Sequence, residues 1–261
     1  MPPEASDGTT KEMLHLISVD KEYASPRAVK VLSGLDLALP EGGVVCVSGP
    51  VGVGKSTLIR LAAGETFADG GEVRVFGRDI ARLRRSSIEA MRRKMAWIPQ
   101  ELRLLDDRSA LDNVALAAQV VGLSKREARS AAASALASVG LVEEVDVPPW
   151  ALSSGQRRRV SIARALVSEP RLILADEPSG DLDNAGVSLL AGVIERHAAA
   201  GAAVLVTTHD QRLLSAGRSR GWPHLVLRQG RLESSVQPIE ISESSGVVVP
   251  FPQAARAGGL E

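Results

Sequence analysis

The sequence predicts an α/β fold with an antiparallel β subdomain and a helical subdomain, on three observations. Short, wholly apolar runs at residues 44–47, 172–175 and 203–206 have the length and composition of buried strands. The first leads through the glycine-rich turn Gly49-Pro50-Val51-Gly52-Val53-Gly54-Lys55-Ser56-Thr57 into the helix-compatible residues 57–63. The stretch from about residue 106 to 149 is rich in alanine and leucine without strand signals, and reads as a small helical unit.

The turn fits G-x-x-x-x-G-K-S, and its order of strand, loop and helix makes it a cradle for phosphate. Glycines let successive backbone N–H groups turn inward on an anion, where a Cβ would block the approach or the required dihedrals. The helix that follows adds the partial positive charge of its N-terminus. In such a cradle Lys55 reaches the β and γ phosphates and the Ser56 hydroxyl ligates Mg²⁺. An incidental glycine-rich turn would lack the flanking strand and helix. The cradle does not identify the reaction, because kinases, GTPases and many ATPases share it.

The 261 residues allow one large or two small domains with a sizeable core. Lys plus Arg and Asp plus Glu each number 31, so no net charge points to bulk nucleic-acid binding. The single cysteine, Cys46, lies inside the first apolar run and reads as a small core residue. Residues 1–11 lack the charged and apolar regions of a signal peptide, and no apolar stretch reaches the roughly 18 to 20 residues of a spanning helix. The chain is therefore expected on the cytoplasmic side, with any membrane span supplied by a partner.

In chain order, residues 14–19 read as a strand, which ends in Asp20, Lys21, Glu22 and Tyr23, the only tyrosine. Leu35, Leu37 and Leu39 alternate up to a turn at residues 40–43, and residues 72–77 alternate again. These look like antiparallel strands beside the phosphate cradle. Residues 78–94 carry seven basic side chains against two acidic ones, without interleaved aromatics, and read as a solvated helical face rather than a polyanion contact. A short strand at 95–99 ends in proline and is followed by Gln100. Ser153 and Ser154 are N-cap candidates for a helix over 157–167, where Val160, Ala163, Leu166 and Val167 recur at helical spacing.

The apolar run 172–175 ends in Asp176, Glu177 and Pro178, at the strand end where open α/β sheets bind ligands. Adjacent strand residues point opposite ways, so the two acids are expected to have different tasks. The run 203–206 continues into Thr207, Thr208 and His209, and by itself a lone histidine after a strand is more often structural than catalytic. A hairpin is expected at Gln229 and Gly230. Beyond it the Ser-, Pro- and Gly-rich tail reads as disordered, with residues 247–252 a candidate partner-docking segment. There is no internal repeat.

Together these pieces resemble the nucleotide-binding subunits of the ABC ATPase family, a P-loop NTPase fold. The resemblance covers roughly residues 13–233, leaving 1–12 as a flexible tail, about 101–155 as the helical subdomain and 234–261 as the disordered tail. GPVGVGKST resembles Walker A, Gln100 the Q-loop glutamine, LSSGQ (152–156) the family signature, LILADEP the Walker B strand, SGDLD (179–183) the D-loop and His209 the switch histidine. Ser154 stands where the signature usually has glycine.

The resemblance implies ATP and Mg²⁺ as ligands and a head-to-tail homodimer in which Walker A of one chain and the signature of the other enclose each nucleotide. Gly49, Pro50, Val51, Gly52, Val53, Gly54, Lys55, Ser56 and Thr57 would then hold the phosphates, together with Ser153, Gly155 and Gln156 from across the dimer. Tyr23 would stack on adenine, Ser56, Gln100 and Asp176 would serve the metal, and Glu177 would be the general base. Gln100 and His209 would sense the γ-phosphate, and Asp183 would communicate across the dimer. Within the family, LADEPSGDLD and the segment 104–115 resemble the branch that includes FtsE, LolD-type lipoprotein-release ATPases and MacB-type exporters, nearest to FtsE. That implies a peripheral protein on the inner face of the bacterial plasma membrane, an FtsX-like permease partner and a role in cell division. A lipoprotein or drug exporter is the alternative. A soluble ATPase acting on nucleic acid or the ribosome is disfavoured by the short Walker A-to-signature interval and the single cassette, so no nucleic-acid partner is expected.

Overall fold

The computed structural model describes residues 11–24 and 28–234. The expected disordered tail, its candidate docking segment 247–252 and nearly all of the N-terminal tail lie outside the described residues.

Two sheets form the body. Strands β1 (Glu12–Tyr23), β2 (Val29–Pro40), β4 (Gly70–Val75) and β5 (Arg78–Asp79) make an antiparallel sheet in the order β2-β1-β4-β5. The second sheet has the order β10-β9-β3-β8-β7-β6, from β3 (Val44–Ser48), β6 (Met95–Ile98), β7 (Leu172–Asp176), β8 (Ala203–Thr207), β9 (His224–Arg228) and β10 (Arg231–Ser234). Strands β9, β3, β8, β7 and β6 are parallel, and β10 closes the edge as the second arm of the hairpin expected at Gln229 and Gly230.

The all-apolar runs follow from burial on both faces. Val44 and Cys46, Ile173 and Ala175, and Val204 and Val206 face one core with the helices α3 (Ala110–Val120), α4 (Lys125–Ser138), α5 (Ser154–Leu166), α6 (Asn184–Ala199) and α7 (Gln211–Ser219). Val45, Val47, Leu172, Leu174, Ala203 and Leu205 face a second core, shared with α1 (Lys55–Ala62) and the apolar side of the antiparallel sheet. A strand buried on both faces cannot alternate polar with apolar residues, which is why these runs read as continuous hydrophobic segments.

The basic stretch after β4 spans β5, a 3-10 turn and α2 (Arg85–Arg92), in which Met91 is the buried residue. Arg82 pairs with Asp79 and Arg85 with Glu89, while Arg92 turns inward to donate to the carbonyl oxygens of Ala63 and Gly64. Between β6 and β7, α4 opens with a capping box of Ser124 and Glu127, and α3 and α4 pack against each other and α5.

Cys46 is 1% exposed, and burial pushes its thiol up to about 12. The thiolate is the reactive form, so an alkylating reagent at pH 8 should leave Cys46 intact in the folded chain and modify it once denaturant opens the core. Rapid labelling of the native protein would contradict this packing.

Candidate active site

Parallel pairing decides where the chemistry gathers. Strands β3, β6, β7 and β8 run in one direction, so the segments after their carboxyl ends emerge along one edge of the sheet. Those segments carry residues 49–55, Gln100, Glu177 and His209. The register pairs Ile98 with Ala175 and Asp176 with Thr207, which levels the ends of the strands.

A cavity of about 230 Å³ opens there, lined by Val31, Val51, Gly52, Gly54, Lys55, Ser56, Thr57, Gln100, Glu177 and His209. Gly54 is the N-cap of α1 at φ 115°, a conformation that side chains disfavour, and no side chain caps the helix. A Cβ on Gly54 would lie 2.6 Å from Val31 Cγ1, so the loop could not close as it does with any larger residue. At Gly52, by contrast, a Cβ would meet nothing within 4 Å, and the space above the loop is open to a ligand. An uncapped helix N-terminus beneath an open, glycine-lined hollow with an ammonium at its rim fits a phosphate chain.

Lys55 is 7% exposed, and its Nζ donates to the carbonyl oxygens of Gly49 at 2.9 Å and Pro50 at 3.1 Å. It lies 3.5 Å from Glu177 Oε1. Both oxygens of the Glu177 carboxylate are engaged. Oε1 is 2.8 Å from His209 Nδ1, and Oε2 accepts from the Thr208 hydroxyl at 3.0 Å and the His209 N–H at 3.1 Å. Asp176 is buried, is not among the cavity's lining residues, and accepts from the Thr207 hydroxyl at 2.7 Å. The adjacent acids have different partners, and Glu177 lies beyond the end of the strand. It sits at φ 47°, and this left-handed turn re-aims its carboxylate toward Lys55 and His209.

The oxygen donors available for a metal are hard, a hydroxyl at Ser56 and the carboxylate of Asp176. Among the described residues no group of three or more His, Cys, Asp or Glu could hold a metal ion. This donor set suits Mg²⁺, which keeps several waters and is held through one or two protein ligands plus phosphate oxygens.

Other residues singled out in the sequence lie elsewhere. Tyr23, at the end of β1, is 38% exposed with Lys21 Nζ 5.4 Å from its ring centroid, and does not line the cavity. Ser153 caps α5 in a capping box with Gln156, whose amide also donates to Glu144 at 2.8 Å. Gly155 packs against the 179–183 segment, where a Cβ would stand 3.2 Å from the Asp181 carbonyl oxygen. Asp183 caps α6 through the Gly186 N–H at 2.7 Å. Neither the signature residues nor Asp183 line the cavity of their own chain.

The ABC transporter family profile matches residues 32–180. The chain belongs to the ABC transporter family of ATPases. The cassette is 37% identical over 220 residues to the cell division ATP-binding protein FtsE of Haemophilus influenzae, covering 84% of this chain and 99% of that one. It is 38% identical over 205 residues to the lipoprotein-releasing system ATP-binding protein LolD of Porphyromonas gingivalis, covering 78% and 92%. Among solved structures it matches a dimeric ATP-binding cassette in a post-hydrolysis state bound to ADP and inorganic phosphate. That match has a TM-score of 0.75 and 31% identity, over 85% of this chain and 97% of that one.

Sequence reasoning passed over three side chains of the cassette's site. Thr207 and Thr208 hold the two acids, and their signal is a pair of hydroxyls directly after an apolar strand. Arg158 is 3% exposed and joins α5 to the segments at Gln100 and Asp181. It hides within Arg157, Arg158 and Arg159, a run that looks solvated. Its helical phase was the available signal, since Ile162 and Leu166 follow it at four-residue steps and both are buried.

Proposed function

We propose that this cassette binds ATP with Mg²⁺, closes as a head-to-tail homodimer and hydrolyses ATP to drive an integral membrane partner. The observation that carries the reading is the division of the site. Walker A, Gln100, Glu177 and His209 share one cavity, while the signature serine lies on a separate helix N-terminus exposed to solvent. Two helix N-termini can serve one nucleotide only if the second comes from another chain.

In this reading the N–H groups of residues 49–57 and the Lys55 ammonium hold the phosphate chain, which requires Lys55 to exchange its two carbonyl acceptors for phosphate oxygens. Ser56, Asp176 and Gln100 serve the metal, which when bound neutralises charge on the phosphate oxygens. Glu177, steadied by Thr208 and the His209 N–H, takes the proton of the attacking water. Gln100 and His209 report on the γ-phosphate, Ser153, Gly155 and Gln156 complete the partner's site, and Tyr23 offers an exposed ring to the adenine. Most of the rate then comes from positioning and charge compensation, as in other phosphoryl transfers.

The cellular role is FtsE-like, in a complex with an FtsX-like permease that regulates cell division and peptidoglycan hydrolysis. The end-to-end match to FtsE supports it. Among the described residues no helix is long and apolar enough to cross a membrane, and in this reading the partner supplies the span. A groove of about 640 Å³ between β6, α2, α3 and α5, lined by Trp97, Leu105, Leu116, Val120, Val121 and Arg164, offers an apolar seat for a cytoplasmic helix of that partner. Val120 is 69% exposed there. A LolD- or MacB-type exporter is the second reading, favoured by the similar identity to LolD.

Glu177→Gln with ATP in native membranes should trap the closed dimer together with its partner. Recovery of a single FtsX-like protein is expected. A lipoprotein-release permease pair, or an export permease with a periplasmic adaptor, would contradict the cell-division role.

A further inference from the structure

Between β6 and α3 the chain passes through residues 99–109 without regular structure, yet it carries Gln100 to the rim of the cavity. Asn113 of α3 bonds the far end of this segment at Leu105, Arg108 and Ser109, Arg164 of α5 donates to the Leu102 and Arg103 carbonyl oxygens, and the Gln100 end is held by a second side chain of the signature helix. Arg158, on the first turns of α5, donates from Nη1 to the Pro99 carbonyl oxygen at 2.9 Å and from Nη2 to that of Gln100 at 2.7 Å. The same Nη2 lies 3.1 Å from Asp181 Oδ2, two residues before Asp183. One buried guanidinium therefore touches the Gln100 segment and the 179–183 segment from the helix whose N-terminus carries Ser153. Its Nε has no acceptor, so all its bonding is spent on these two segments.

We propose that Arg158, with Asp181 as its counter-charge, is a positioning residue that locks Gln100, the 179–183 segment and the signature helix into one moving unit. The assignment rests on the proposed function, which gives those three segments their roles. A planar fork suits the task, because it can meet acceptors on two separate segments at fixed angles, whereas an ammonium is a point charge. The Arg158 side chain is 4% exposed and Asp181 is 40% exposed, so the carboxylate compensates a charge that has little other access to solvent. A change in the position of Gln100 as the γ-phosphate is lost would pull on Arg158 and reach Asp183 without any contact between Gln100 and Asp183.

The test compares Arg158→Gln, Asp181→Asn and the double variant in the full chain, reading kcat, ATP affinity and thermal stability. Each single change should lower kcat, Arg158→Gln by about ten- to a hundredfold, the worth of one or two charge-assisted hydrogen bonds. ATP affinity should stay within about threefold, since neither residue lines the cavity. The double variant, whose two amides can bond without burying a charge, should retain more activity than the product of the single effects. Unchanged kcat, affinity falling in step with kcat, or strictly multiplicative effects would overturn the assignment. If Arg158→Gln does not fold, Asp181→Asn decides by the same kcat-against-affinity split. A wild-type chain that hydrolyses no ATP would instead remove the proposed function, and this assignment with it.

Discussion

Replacing Glu177 by glutamine is expected to leave ATP binding and dimer closure intact while slowing hydrolysis by about 10²- to 10⁴-fold, the usual worth of a general base. The amide is nearly isosteric, and its oxygen can still accept from the Thr208 hydroxyl and the His209 N–H that now hold Oε2. Its NH₂ would face His209 Nδ1, now 2.8 Å from Oε1, so the turn at φ 47° keeps its supports. What disappears is the ability to take a proton. Single-turnover hydrolysis beside direct ATP binding separates the two effects. Turnover near that of the wild type would take Glu177 out of the general-base role.

The second large effect is expected from breaking the two halves of the site separately. Lys55→Met keeps an unbranched apolar stem in the buried position but removes the ammonium from the phosphate cradle. Charge-assisted contacts to phosphate are worth about 1.5–3 kcal/mol each, so ATP affinity should fall by about tenfold or more, and hydrolysis further. Ser153→Arg leaves the chain's own cavity untouched, because Ser153 is not among its lining residues. It places a bulky cation where a second chain's nucleotide would sit. That variant should bind ATP normally as a monomer and fail to hydrolyse it.

Much of the parallel sheet was legible because strands buried on both faces leave unbroken apolar runs, and the phosphate cradle because few glycine patterns sit between such a run and a helix. The antiparallel sheet was legible only in part. Alternation marks residues 14–19 and Leu35 to Leu39, yet β1 and β2 each extend over 12 residues. Bulges between Leu16 and Val19 and between Val19 and Lys21 shift the register, with Ser18 at φ 46° and Gly34 at φ 57°, and an inserted residue destroys a period of two. Asp20, which looks like an ordinary solvated acid, is spent on that irregularity. Lys30 beside it and the Gly34 N–H that it accepts hold its carboxyl below the usual range.

Within the site, residues that line the cavity were readable, while residues that hold them were not. Lys55, Ser56, Gln100, Glu177 and His209 each follow a strand or open a helix in a recognisable motif. Thr208 and Arg158 act through hydrogen bonds across 31 and 58 residues of sequence, which no local spacing encodes. The separation of Ser153 from the cavity is likewise a property of the fold. A sequence shows both helix N-termini but not that they lie apart in the fold.

Mixing the two disabled variants tests the composite site most directly. In a Lys55→Met and Ser153→Arg pair, one site joins both lesions and the other joins an intact cradle to an intact signature. Head-to-tail closure predicts that ATP hydrolysis reappears on mixing the two inactive proteins, in proportion to the mixed dimers formed. A mixture as inactive as its parts, with mixed dimers demonstrably present, would contradict a nucleotide shared between two chains.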